Sequence, residues 1–263
     1  MAGSTGTADA TRVLICLLGG FRLLKLGSPQ SLRPGGRTQS ILSALALGSR
    51  SAGVPRDDLV HLLWPDSESG LAIQALHTLV YSLHRSLGDA LGGEHPIVNV
   101  HGRYRLNAEA GVVVDVDRFD SVVDAGDRLA RSGEAESAIG RYRDAVSLYE
   151  GDLVVGSDVQ HVLERERLRA RYLRVRVTLA DHHLVLGEMD AALGNALDVL
   201  AHDAYREDAH RIAMRCYVRL GQRAQALRQY RICRDLLRSE FEAAPERATD
   251  ELYELIRLEP VRV

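Results

Sequence analysis

The sequence has a single lysine, Lys25, among 33 basic residues. That bias looks like GC-rich coding rather than chemistry. Cysteine is scarce too: Cys16, Cys216 and Cys233 are odd in number, form no Cys-x-x-Cys and sit in apolar or helical patterns. Reduced, buried thiols of a cytoplasmic protein are expected from this, not a disulfide framework. No apolar run approaches the roughly 18 residues of a membrane-spanning helix. The run Val13 to Leu18 follows Arg12, as in a signal peptide, but Gly19-Gly20-Phe21-Arg22 breaks it early, and it reads better as a strand. The phosphate loop G-x-x-x-x-G-K, the G-x-S-x-G nucleophile turn and His-Glu-x-x-His are all missing. His182-His183 beside Asp181 suggests a metal, but neighbours on a helix point about 100° apart, so a structural role is expected. No catalytic residue, metal ligand or cofactor is expected, and no membrane partner.

What is present divides along the chain. The 263 residues, 46% apolar, allow one large or two ordinary domains with ordinary cores. Residues 1–56 carry seven Lys or Arg against one Asp, net +6, whereas residues 57–102 carry Arg85 against six acids, net −5. Residues 103–110 return +1, so the first 110 residues sum to +2 and the rest to −5. A mildly basic front precedes an acidic rear, and the front is the part suited to nucleic acid.

Residues 1–11 are small and polar and read as a disordered tail. Val13 to Leu26, bent at Gly19-Gly20, predicts two or three short strands. Arg33-Pro34-Gly35-Gly36 is a turn. Three helices are predicted next. The first places Ile41, Leu42, Leu45 and Ala46 on one side. The second runs from Arg56 to Leu63, with Leu59, Leu62 and Leu63 inward. The third follows Trp64-Pro65-Asp66-Ser67. In that third helix Leu76, Leu79, Val80, Leu83 and Leu87 share a face, which leaves Gln74, Thr78, Tyr81 and Arg85 together on the other. Ile97 to Val100 and Arg103 to Leu106, joined at His101-Gly102, alternate as a β-hairpin. Strands, three helices and a hairpin describe a winged helix-turn-helix (α+β) over residues 12–110.

From Val116 on the pattern is helical, so the chain as a whole is mainly α. Gly133-Glu-Ala-Glu-Ser-Ala138-Ile139 repeats at Gly187-Glu-Met-Asp-Ala-Ala192-Leu193 and at Gly221-Gln-Arg-Ala-Gln-Ala226-Leu227. Gly187 and Gly221 lie one tetratricopeptide period apart. Residues 111–263 therefore read as an all-α, tetratricopeptide-like helical domain. The run Arg165, Arg167, Arg169, Arg171, Arg174 and Arg176 reads first as a solvated helix side laced by Glu–Arg pairs, and second as a surface for an acidic partner.

Several segments resemble the bacterial antibiotic-pathway regulatory proteins (SARP), in which an OmpR-type winged helix precedes a bacterial transcriptional activator domain (BTAD). They are Leu18-Gly-Gly-Phe-Arg22, Arg33-Pro34 with Gly36-Arg37, Leu63-Trp-Pro-Asp66, Leu83-His-Arg-Ser-Leu-Gly88, Gly102-Arg-Tyr-Arg-Leu106, Tyr149-Glu-Gly-Asp-Leu153, and Tyr205-Arg-Glu-Asp-Ala-His210 running on to Met214, then Gly221 to Tyr230. The resemblance covers about residues 12–258. It implies a bacterial, cytoplasmic activator that binds double-stranded DNA and recruits RNA polymerase holoenzyme. With no ATPase or sensor module after Val263, the short two-domain form is expected. The family usually has Arg where this chain has His77, Ser82 and His84, so the reading helix is poor in charge.

DNA recognition needs cations at phosphates and polar groups at base edges. Arg37 and Arg56, near helix starts, suit phosphates. Gln74, His77, Thr78, Tyr81 and Arg85 suit base edges, and Arg103, Tyr104 and Arg105 suit a neighbouring groove. The bland reading of each is an ordinary solvated surface. The weak charge predicts poor binding as a monomer, hence a homodimer or a partner. The alternative is a tetratricopeptide interaction or ligand-sensing protein, taking a peptide or small-molecule effector, with a vestigial wing.

Overall fold

The computed structural model describes residues 11–48, 52–67, 69–154 and 159–263. Apart from Thr11, the tail expected over 1–11 lies outside the described residues. The chain falls into two compact units. One runs to Ser121 and takes in Leu148–Arg165; the other comprises Val122–Ser147 and Glu166–Val263.

In chain order, the first unit carries β1 (Val13–Cys16), β2 (Arg22–Lys25), β3 (Ser28–Pro29), α1 (Arg37–Leu47), β4 (Val54–Pro55), α2 (Arg56–Leu63), α3 (Ser69–Leu87), β5 (Ile97–Val100), β6 (Arg103–Leu106) and β7 (Val112–Val114), then the start of α4 (Asp115–Arg131). The three helices and the hairpin stand where hydrophobic periodicity put them. Ile41, Leu42, Leu45 and Ala46 of α1 are buried. In α2 the expectation fails at Leu62, which is 55% exposed while Leu59 and Leu63 are buried. Lys25 ties β2 to the end of α3, pairing with Asp89 at 2.6 Å and donating to the Ser86 carbonyl at 2.8 Å.

Two short strands were not expected, and β7 lies within residues 111–263, which the sequence reads as all α. β7 lies parallel to β1, Ile15 opposite Val114, in a sheet ordered β3-β2-β1-β7. β4, two residues long and half proline, pairs with β6. Gly53 before it sits at φ +92°, and a Cβ there would meet the Tyr104 carbonyl oxygen at 2.8 Å. The end of β1 is anchored by Asp115, which is 5% exposed. Its carboxylate accepts the N–H groups of Leu17 and Leu18, each at 2.9 Å, and of Val116 at 2.8 Å. The Tyr149–Leu153 segment packs on the same exit. Gly19 donates to the Asp152 carbonyl at 3.1 Å, Leu18 bridges Leu153, and Arg22 pairs with Glu150.

The second unit is all α. It holds the rest of α4, most of α5 (Ala135–Leu148) and of α6 (Val159–Leu186), then α7 (Met189–His202), α8 (Glu207–Arg219), α9 (Arg223–Phe241), α10 (Arg247–Leu258) and a 3-10 turn, Pro260–Arg262. The sequence repeat has a structural meaning. Gly133, Gly187 and Gly221 all have positive φ, and each ends a helix in the same way. The residue after the glycine donates to a carbonyl five back: Glu134 to Leu129, Glu188 to His183, Gln222 to Tyr217. The repeated Ala138, Ala192 and Ala226 are buried, small enough for neighbouring helices to close. Ala180, Ala192, Ala196, Ile212 and Ala213 form one core between α6, α7 and α8.

The arginine run of α6 lands mainly on partners within the protein. Arg171 pairs with Asp124, Arg174 with Asp127 at 2.9 Å and Arg176 with Asp198 at 3.0 Å. These bonds lace α6 to α4 and α7. Cys16, Cys216 and Cys233 are buried, which pushes their thiols up to about 11, 11 and 12.

His210 joins the α7–α8 loop to α9. Its Nε2 meets the Ala204 carbonyl at 2.9 Å and its Nδ1 meets Gln229 Nε2 at 2.8 Å. The carbonyl must accept, so Nε2 carries the proton and Nδ1 accepts from the amide. Burial holds the imidazole below its ordinary pKa of 6.5. The unfolded chain takes up that proton first, so this contribution is complete above pH 6.5 and is lost as the pH falls below it. Thermal melts should show a drop between pH 7.5 and pH 5.5 that is smaller in His210→Gln; an identical drop in the variant would assign the pH dependence elsewhere.

Candidate nucleic-acid interface

α3 is amphipathic in the required sense. Ala72, Leu76, Leu83 and Leu87 are buried, with Leu79 and Val80 half-buried beside them. Gln74, His77, Thr78, Tyr81 and Arg85 are exposed on the opposite side. Tyr81 is 62% exposed, an aromatic ring left open within a polar stripe. The Thr78 hydroxyl donates to the Gln74 carbonyl at 2.9 Å, which leaves its methyl and lone pairs outward. Among the described residues Arg85 has no ion-pair partner, so its guanidinium is available to a ligand. His84 is not in the stripe: it is half-buried and stacks on His95 at 3.8 Å.

Arg37 at the start of α1 is fixed by its neighbours. Its Nε donates to the Leu63 carbonyl at 3.2 Å, and its guanidinium lies 5.2 Å from the centroid of the Trp64 ring. It therefore holds the turn between α2 and α3, and the lone tryptophan is its platform. Arg56 opens α2 and pairs with Asp57 at 2.9 Å, so its charge is locally offset.

The wing is a three-stranded sheet ordered β4-β6-β5. Its turn has φ +51° at His101 and +79° at Gly102, the two positive values that a tight hairpin with the right twist demands. Alternation along β6 then separates three consecutive residues. Tyr104 is 4% exposed and packs inward, so it has no surface to offer a groove. Arg103 points to the other side but donates to the carbonyls of Ala52 and Gly53, bracing β4. Arg105 is exposed on the same side as Arg103. The candidate surface thus reduces to Gln74, His77, Thr78, Tyr81 and Arg85 on α3 and Arg105 on the wing. Arg37, Arg103 and Tyr104 maintain its shape.

A winged helix with an open polar stripe, in a chain that continues as helical pairs at a tetratricopeptide period, is the build of a transcriptional regulator. Residues 114–257, over half of the chain, match the bacterial transcriptional activator domain, and the chain belongs to that family. It is 26% identical over 233 residues to the regulatory protein DnrI of Streptomyces peucetius, covering 85% of each chain. It is 27% identical over 237 residues to the transcriptional regulatory protein MoaR1 of Mycobacterium tuberculosis, covering 89% of this chain and 73% of that one. Among solved structures it is similar to Mycobacterium tuberculosis EmbR in complex with a low-affinity phosphopeptide, with a TM-score of 0.71 and 20% identity. That likeness covers 94% of this chain and 65% of the other, and it is one of fold. The family is regulatory, not enzymatic. Among the described residues no helix is long and apolar enough to cross a membrane.

Proposed function

We propose that the protein is a cytoplasmic, sequence-specific activator that binds direct repeats in promoter DNA and recruits RNA polymerase holoenzyme. The observation that carries this reading is the line of five exposed polar residues on α3, with an apolar inner side fixing its direction. In this reading residues 12–110 contact DNA and residues 111–263 contact polymerase or a second copy. The start of the family match at residue 114 supports that division. Arg85 is the one arginine of the stripe, so a monomer binds weakly, and two copies on adjacent repeats gain by acting at high effective concentration.

The same shortage of charge supports a second reading, a helical-repeat protein that senses a peptide or small molecule while its wing is vestigial. Gel mobility separates the two. A fragment carrying repeated heptamers from upstream of neighbouring genes is expected to be retarded at low salt, with cooperative occupancy of two repeats. Unchanged mobility, together with a metabolite that raises the melting temperature, would favour the sensor.

A further inference from the structure

A groove of about 910 Å³ lies in the first unit, between the turn ahead of α1, the end of α2 and the flank of α3. Arg33, Arg37, Leu62, Trp64, Thr78 and Ser82 are among the residues that line it, and none of the lining residues is Asp or Glu. We infer that this groove takes a phosphodiester of the DNA backbone, with Arg33 as its charge; the inference rests on the DNA reading above.

Charge is the first reason. In a first unit where acids offset Arg56 and Lys25, Arg33 is exposed and, among the described residues, has no ion-pair partner. Rigidity is the second. The turn that presents Arg33 is closed by Gly36 N–H donating to the Arg33 carbonyl at 3.0 Å. Pro34 fixes its first corner. Gly35 sits at φ +66°, and a Cβ on Gly36 would stand 2.9 Å from the Arg33 oxygen. Gln39 Oε1 accepts Gly35 N–H at 3.0 Å and locks the turn to α1. Continuity is the third. Thr78 belongs both to the groove and to the outward stripe of α3. A duplex seated on the stripe therefore lays a backbone across the groove. The hydroxyls of Thr78 and Ser82 donate to carbonyls of their own helix, and the positive charge lining the groove is that of its guanidinium groups. Arg37, held by Leu63 and Trp64, is the positioning residue; Arg33 makes the contact.

The test is fluorescence anisotropy of a labelled duplex over a salt series, with full-length wild type, Arg33→Ala, Arg33→Lys, Gly36→Ala and Arg85→Ala. Arg33→Ala is expected to lower the slope of log K against log salt by about 0.9, equally on specific and scrambled duplexes. Arg33→Lys should restore the slope. Gly36→Ala, which keeps the charge but forces the turn apart, should lose it as Arg33→Ala does, with circular dichroism unchanged in each variant. If Arg85→Ala weakens binding while Arg33→Ala leaves affinity and slope at wild-type values, the groove is not a backbone contact and the DNA reading survives. Unchanged DNA binding by Arg33→Ala with loss of polymerase-dependent transcription would make the occupant an acidic protein segment and overturn the inference. No binding by wild type at low salt would remove the DNA reading itself.

Discussion

Asp115→Ala is expected to lower the unfolding free energy of the winged-helix unit by about 3 kcal/mol, measured by urea denaturation. The carboxylate takes the N–H groups of Leu17 and Leu18 where β1 ends, and both residues are fully buried. Removing it strands two amide donors away from water, at about 1–3 kcal/mol each. Burial pushes the Asp115 carboxyl above its usual range, and the amides of Leu18, Leu17 and Val116 pull it back. The cost of burying the charge offsets part of the gain, which keeps the expectation below the sum of two full penalties. Asp115→Asn keeps one acceptor and should fall between wild type and alanine. A loss under about 0.5 kcal/mol would mean that water reaches the strand end.

Gln74→Ala and Arg85→Ala are each expected to weaken binding to a specific promoter fragment by about 1–3 kcal/mol, or roughly 5- to 150-fold, if each makes a paired contact with a base edge. The two lie eleven residues apart on one exposed helix face, share no partner, and should add in the double variant. Melting temperature should not move, because neither side chain is in the core. Non-specific affinity should hold for Gln74→Ala and fall slightly for Arg85→Ala, which also carries charge. The contrasting variant is Tyr104→Ala, which removes a buried ring from the wing and should lower stability first. If Gln74→Ala weakens specific and scrambled duplexes alike, α3 is not reading bases.

α3 was legible in the sequence because two constraints coincide there. An apolar face of Leu76, Leu83 and Leu87 fixes the helix rotation, and rotation alone decides that Gln74, Thr78, Tyr81 and Arg85 face out. The hairpin was legible for a similar reason, since His101-Gly102 suits the turn its strands need. The repeat was legible because a glycine is required at each helix end and an alanine at each close approach.

What stayed hidden depends on partners far away in sequence. β7 is three valines, β-prone but too short to stand as a strand until β1, nearly a hundred residues earlier, pairs with them. β4 is two residues long and exists because β6 lies beside it. The arginines of α6 read as a surface until Asp124 and Asp127, 47 residues before Arg171 and Arg174, are brought against them. Grouping Arg103, Tyr104 and Arg105 as one contact set overlooked the period of two along a strand, which turns Tyr104 into the core. The role of Arg37 follows from a carbonyl at Leu63 and the ring of Trp64, and no local pattern announces either.

The most direct measurement is site-specific photocross-linking to a promoter fragment from a probe on Tyr81→Cys, with the same probe on Leu197→Cys of the helical unit as the reference. Adducts to bases from position 81 and none from position 197 are predicted. Equal labelling from both positions, or adducts from 81 that fall on protein while DNA is bound, would contradict an outer α3 face lying against the bases.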